Sequence, residues 1–176
     1  NQRQNHPNDA DRVYGGNLAF TRQSDFDRPR PEPRFTIAHD VTQQVQSVAP
    51  EDQWIAQLAV GRLRGADGFT GSAQAVGTAL AQCTASSQMY TPYEQELRIT
   101  DGKAITVPGP GGAEVTGWRV DADIRVDYGP SFGGDKVVFV VVPDGKDWGM
   151  FFGAVPLGDP TMAAQLDDVV GSLRTT

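Results

Sequence analysis

The chain has 176 residues, a length that suits one domain with a single core, and 15 basic against 22 acidic residues give it a net charge of −7. Hydrophobic residues make up 39% of it, including three Trp and eight Phe, which is more apolar area than a disordered chain offers. The negative charge repels phosphate backbones, so the composition excludes nucleic acid as the expected partner.

The first 34 residues are predicted to form a polar, Pro- and Arg-containing arm or juxtamembrane linker that leads into the fold. Residues 1–17 lack hydrophobic periodicity, and residues 29–34 alternate proline with charged side chains, a pattern that favours extended chain over helix. We therefore expect a single domain over residues 18–174, whose compact part starts near Leu18.

Two strands and a helix are predicted next. Residues 35–48 and 54–64 alternate apolar with polar side chains around a turn at 49–52, which is typical of a hairpin. Ser72 can cap a helix that runs from Ala73 to about Met89. Cys83 falls within this helix, where a small buried hydrophobic residue is expected rather than a catalytic thiol.

The second half of the chain predicts further strands and a closing helix. Residues 94–107 alternate around an Asp101-Gly102 turn, and residues 116–128 alternate apolar with charged side chains, as in a strand with one face on the core. Residues 137–142 are apolar at consecutive positions, which is typical of a central strand covered on both faces. Another strand over 148–155 and a helix over 160–174 complete an α+β fold, in which helices flank a mainly antiparallel sheet.

The sequence contains no motif that predicts catalysis, a metal site or a cofactor. His6 and His39 lie apart from each other without a second ligand at metal-binding spacing. Residues 129–136 begin like a phosphate loop, but Asp135 precedes Lys136 and a strand follows instead of a helix. The acidic residues of strand 116–128 alternate with Arg119 and Arg125, so a salt-bridged surface is expected there.

Two aromatic residues, Tyr128 and Phe132, are the candidate contacts to a ligand or partner. They belong to a glycine-rich loop between two predicted strands, and an aromatic side chain in such a loop has no periodic core partner. Loops of this kind are frequent recognition sites, because they combine an anchoring ring with mobility. The alternative is that Phe132 simply covers the core.

The C-terminal half resembles the Mog1/PsbP-like domains of actinobacterial exported or membrane-anchored proteins, including LpqN-type lipoproteins. The resemblance rests on Trp118 with its alternating strand, the Gly134-Asp135 pair before residues 137–142, the segment 149–153 and the spacing of Leu166, Val169 and Leu173 in the last helix. It implies an α/β/α sandwich located outside the cytoplasm, without catalytic residues. No family functional position can be transferred to this chain.

These observations favour a non-enzymatic, extracytoplasmic accessory or binding domain in cell-envelope assembly. Such a domain would dock on an envelope membrane protein or hold a lipidic or cell-wall ligand, and an upstream segment absent from this chain would anchor it to the cytoplasmic membrane. The alternative is a hydrolase-like enzyme whose site is assembled from residues that are scattered in the sequence.

Overall fold

The computed structural model describes residues 3–90, 93, 95–127 and 130–176. Its strands and helices follow one another in this order: β1 (Arg12–Gly15), β2 (Leu18–Thr21), β3 (Arg30–Pro31), β4 (His39–Ala49), β5 (Trp54–Leu63), α1 (Ala73–Ala85), β6 (Gln95–Pro108), β7 (Glu114–Val126), β8 (Gly134–Asp144), β9 (Asp147–Pro156), α2 (Pro160–Gly171) and β10 (Arg174–Thr175).

Most strands of the described chain belong to one antiparallel sheet, in the order β3-β4-β5-β9-β8-β7-β6. In the predicted meander from β6 to β9, each strand pairs with the strand that follows it. Strand β9 also pairs with β5, which joins the meander to the β4-β5 hairpin in the centre of the sheet. The remaining strands form a small sheet in the order β1-β2-β10. The predicted α+β class with a mainly antiparallel sheet is therefore confirmed.

The central strand β8 is buried on both faces, as its apolar run predicts. Val137, Phe139 and Val141 face the core cluster that includes α1, whereas the residues between them belong to a second cluster that includes α2. All six side chains at 137–142 have no measurable exposure. The second face is covered by α2 and by the small sheet. The sequence predicted the helix but not the small sheet.

The chain joins the compact fold earlier than the expected start near Leu18. Strand β1 pairs with β2, and Val13 is only 1% exposed. Residues before β1 are also held: His6 Nε2 lies 2.6 Å from the buried Asp40 carboxylate, which accepts a second hydrogen bond from the Gly16 amide. Strand β1 has one fully buried large apolar residue, Val13, which leaves too little periodicity to predict a strand, and this is why the sequence indicated a tether.

The predicted turn at Asp101-Gly102 is wrong, because β6 continues through it and pairs with β7 along its whole length, with one bulge between Ile99 and Asp101. A Cβ atom on Gly102 would lie 3.3 Å from Nε1 of Trp118, so the glycine makes room for the indole ring. Both helices are also shorter than predicted, since they end at Ala85 and Gly171.

Candidate functional site

A pocket of about 320 Å³ opens at the end of the main sheet where β5 begins, on the face covered by α1. Trp54, the first residue of β5, and Asp135, the second residue of β8, form its inner wall. The segment that follows α1 and the segment between β3 and β4 supply the remaining walls. The volume lies at the lower end of the range found for small-molecule sites.

Asp135 is the buried acid of this pocket. It is 3% exposed, and its two oxygens accept hydrogen bonds from Trp54 Nε1 at 2.9 Å and from the Tyr90 hydroxyl at 2.7 Å. Burial raises the pKa of Asp135 to about 7, although both donors stabilise its charged form. Burial, together with the charge of Asp135, also raises the pKa of Tyr90 well above its usual value. The Asp135 carboxyl therefore changes charge near neutral pH.

Aromatic rings surround Trp54 in edge-to-face contacts. The Tyr93 ring centroid lies 5.3 Å from that of Trp54, and the centroids of Phe132 and Tyr90 lie 6.2 and 6.3 Å away. Such geometry favours aromatic pairs beyond the area that they bury. The cluster fixes the indole ring and hence the direction of its N–H bond toward Asp135.

A chain of buried polar side chains lies beside the pocket. Gln57 donates a hydrogen bond to Gln43, and Gln43 donates one of 2.5 Å to Glu32 Oε2. Arg34, whose side chain is 83% exposed, donates to both oxygens of Glu32, at 3.2 and 3.3 Å. Burial raises the pKa of Glu32, but hydrogen bonds from Arg34 and Gln43 outweigh that effect and leave its pKa below the usual value. Glu32 is thus a carboxylate at neutral pH.

Only one of the two predicted contact residues can be placed. Phe132 packs against Trp54 and is partly buried against the core cluster on that face, but it is not one of the residues that line the pocket. Tyr128 lies outside the described residues. Contact of either residue with a ligand stays a prediction.

The sequence patterns did not predict the three residues that define the site, which are Trp54, Tyr90 and Asp135. Asp135 carried a usable signal, because it shares its side of β8 with Val137, Phe139 and Val141, all of which are buried. A carboxyl group at an inward position of a central strand needs hydrogen-bond donors. The sequence does not say which residues provide them.

The remaining polar residues considered in the sequence lie elsewhere. His39 Nε2 contacts the Asp67 carboxylate at 2.7 Å, and neither this contact nor that of His6 with Asp40 includes a hydroxyl or thiol. Across the described ranges, no group of three or more His, Cys, Asp or Glu side chains is placed to hold a metal ion. Arg119 pairs with Asp121 at 2.6 Å on the predicted salt-bridged face of β7.

Neither helix of the described chain combines the length and apolarity needed to cross a membrane.

Comparisons with known proteins identify the architecture. No protein-family model and no curated protein sequence matches the chain. Its structure is similar to the solution structure of cyanobacterial PsbP (CyanoP) from Synechocystis sp. PCC 6803, with a TM-score of 0.61 over 99% of this chain and 98% of that one, at 11% sequence identity. An identity this low speaks for the fold alone, so the PsbP-like part of the resemblance is confirmed and its actinobacterial, LpqN-type part stays a prediction. The chain has a PsbP-like fold.

Proposed function

We propose that the chain is a non-enzymatic accessory domain, located outside the cytoplasm, that binds a ligand of the cell envelope in the pocket lined by Trp54 and Asp135. The observation that carries this proposal is the buried carboxyl of Asp135, which two donors hold in a fixed orientation inside an aromatic-walled pocket. Pockets with mostly apolar walls and a few fixed polar groups are the usual form of small-molecule sites.

The extracytoplasmic location and the role in envelope assembly rest on the sequence resemblance and on its agreement with the PsbP-like fold. Docking on a membrane protein and anchoring by an upstream segment belong to the same proposal. In this account the pocket holds the lipidic or cell-wall ligand, and the rest of the surface is available to the membrane partner.

A hydrolase-like enzyme is the second candidate, and one observation favours it. A pocket carboxyl with a pKa of about 7 has the property of a general acid or base. In the described contacts, however, Asp135 is bound to an indole N–H and a phenol, so it orients no nucleophile. Binding therefore explains the geometry with fewer assumptions than catalysis.

Titration of the ¹⁵N-labelled protein with a panel of envelope fragments tests the proposal. The panel contains N-acetylglucosamine, a muropeptide and short-chain phospholipids below their critical micelle concentrations. We expect at least one of them to shift the Trp54 Nε1–H resonance saturably, because this N–H group lines the pocket and donates to Asp135. No resonances of a reaction product should appear over hours.

The control is Asp144→Asn, an exposed position on the same strand as Asp135, which should leave the titration unchanged. Absence of any shift at Trp54 across the panel would contradict the binding proposal. Appearance of product resonances would establish the enzyme instead.

A further inference from the structure

We infer that the pocket selects an organic cation that carries N–H donors, such as a primary alkylammonium group, over neutral and anionic ligands of the same shape. This inference rests on the proposed function and specifies the ligand class. It follows from the direction of the hydrogen bonds around the pocket, from the acids in its wall and from the rings beside them.

The direction of the hydrogen bonds is set by Glu32. Its carboxylate only accepts, so Gln43 must present its NH₂ group to Glu32 and its carbonyl oxygen to Gln57. Gln57 must then donate through its own NH₂ group to Gln43. The Oε1 atom of Gln57 takes no part in this hydrogen-bond network, and Gln57 lines the pocket. The network therefore leaves an acceptor on Gln57 open to a ligand, together with the second hydrogen of its amide group.

The two donors nearest to Asp135 are already engaged. The Trp54 N–H and the Tyr90 hydroxyl are directed at Asp135, and the Arg34 guanidinium is directed at Glu32. Each oxygen of Asp135 accepts one of these bonds and has capacity for a second, whereas each oxygen of Glu32 already accepts two. A ligand that accepts a hydrogen bond from Trp54 or Tyr90 would have to take that donor away from Asp135, whereas a ligand that donates finds open acceptor sites on Asp135.

Charge acts in the same direction. The titratable and charged groups that share the pocket with Asp135 are Glu32, Arg34, Tyr90 and Tyr93. With both carboxyls ionised and Arg34 as the single cation among these groups, the pocket carries a net negative charge. A bound cation beside the buried Asp135 gains more attraction than it would in water, because the surrounding dielectric is low.

The rings complete a cation site. Trp54 and Tyr93 stand in edge-to-face contact beside the carboxyl of Asp135. Aromatic faces attract ammonium groups, and the attraction grows when the site excludes water. Ile55, which is 40% exposed at the rim, offers contact for the alkyl chain of such a ligand.

The test compares four probes on the full chain: n-butylammonium, tetramethylammonium, 1-butanol and butyrate. We expect the Trp54 Nε1–H resonance to shift most strongly with n-butylammonium, less with tetramethylammonium, which lacks N–H donors, and little with the other two. Binding of n-butylammonium should be up to about tenfold tighter at pH 8 than at pH 6, since the ionised fraction of a group with a pKa of about 7 is about tenfold higher at pH 8 than at pH 6.

Variants assign the effect to the pocket. Asp135→Asn should weaken n-butylammonium binding and abolish its pH dependence, and Asp144→Asn should leave both unchanged. Should Asp135→Asn fail to fold, Glu32→Gln serves as the second pocket variant and should weaken binding without removing the pH dependence. The comparison of the four probes on the unmodified protein tests the inference whether or not Asp135→Asn folds.

Two further probes identify the source of the cation. Nα-acetyl-lysine methylamide represents a lysine side chain of a protein, and sn-glycero-3-phosphoethanolamine represents a lipid head group. Tighter binding of the first would assign the pocket to a peptide ligand, and tighter binding of the second to a lipid; both results support a cation site.

Equal binding of 1-butanol and n-butylammonium, or stronger binding of butyrate, would overturn the inference. If an uncharged envelope fragment shifts Trp54 while n-butylammonium does not, the proposed function stands and the cation inference is wrong. If no compound shifts Trp54, both are wrong.

Discussion

As the pH rises from 5 to 8, the free energy of unfolding of Asp135→Asn is expected to increase by about 2 to 3 kcal/mol relative to that of the unmodified protein. The folded protein keeps the Asp135 proton up to about pH 7, whereas an unfolded chain releases it near the ordinary value of 3.8. The folded state therefore binds more protons between these values, and the free energy of unfolding falls as the pH rises through them. Asparagine cannot ionise, so this loss disappears; each pKa unit corresponds to about 1.4 kcal/mol.

Urea denaturation of both proteins at pH 5 and pH 8 measures this difference, and other titrating groups cancel because both proteins share them. Asp144→Asn, an exposed carboxyl on the same strand, should follow the unmodified protein at both pH values. A constant stability difference between Asp135→Asn and the unmodified protein would show that Asp135 is not a buried carboxyl with a raised pKa.

Gly15→Ala is expected to destabilise the protein by about 3 kcal/mol, at the upper end of the usual cost of overpacking. A Cβ atom at Gly15 would lie 2.2 Å from the Val60 carbonyl oxygen and 2.8 Å from that of Asp40. Both atoms are backbone, so no side-chain rotation relieves the clash. The small sheet would have to move away from β5 and expose Val13 and Phe20.

Gly171→Ala is the matched control, since a Cβ atom there meets nothing within 4 Å. Gly171 is the last residue of α2, and replacing a helical glycine by alanine stabilises by up to about 1 kcal/mol. The two substitutions add the same methyl group and should shift the urea midpoint in opposite directions. Similar effects of both would show that Gly15 does not contact β5 closely.

The strands that could be predicted are those whose periodicity extends over many residues. Strand β7 buries Val120, Ala122 and Ile124, and the residues that alternate with them, Asp121 and Asp123, are partly exposed, as the alternation indicates. The small sheet was missed because its strands are only two to four residues long, which is too short for a period of two to be recognised.

The candidate site was beyond sequence reasoning for a different reason. Trp54 and Tyr90 contact Asp135 across 81 and 45 positions of the chain. Their proximity arises from the pairing of β5 with β9 and of β9 with β8, together with the path of the chain after α1. The sequence predicted the strands but not their order in the sheet, so it could not predict which side chains meet.

Intermolecular nuclear Overhauser effects test most directly whether the pocket lined by Trp54 and Asp135 holds the ligand. For n-butylammonium bound at pH 8, we predict cross-peaks from its methylene protons to the ring protons of Trp54 and Tyr93 and to the Ile55 methyl groups. Cross-peaks confined to other surfaces, such as the exposed Ile99 on β6, would contradict the account.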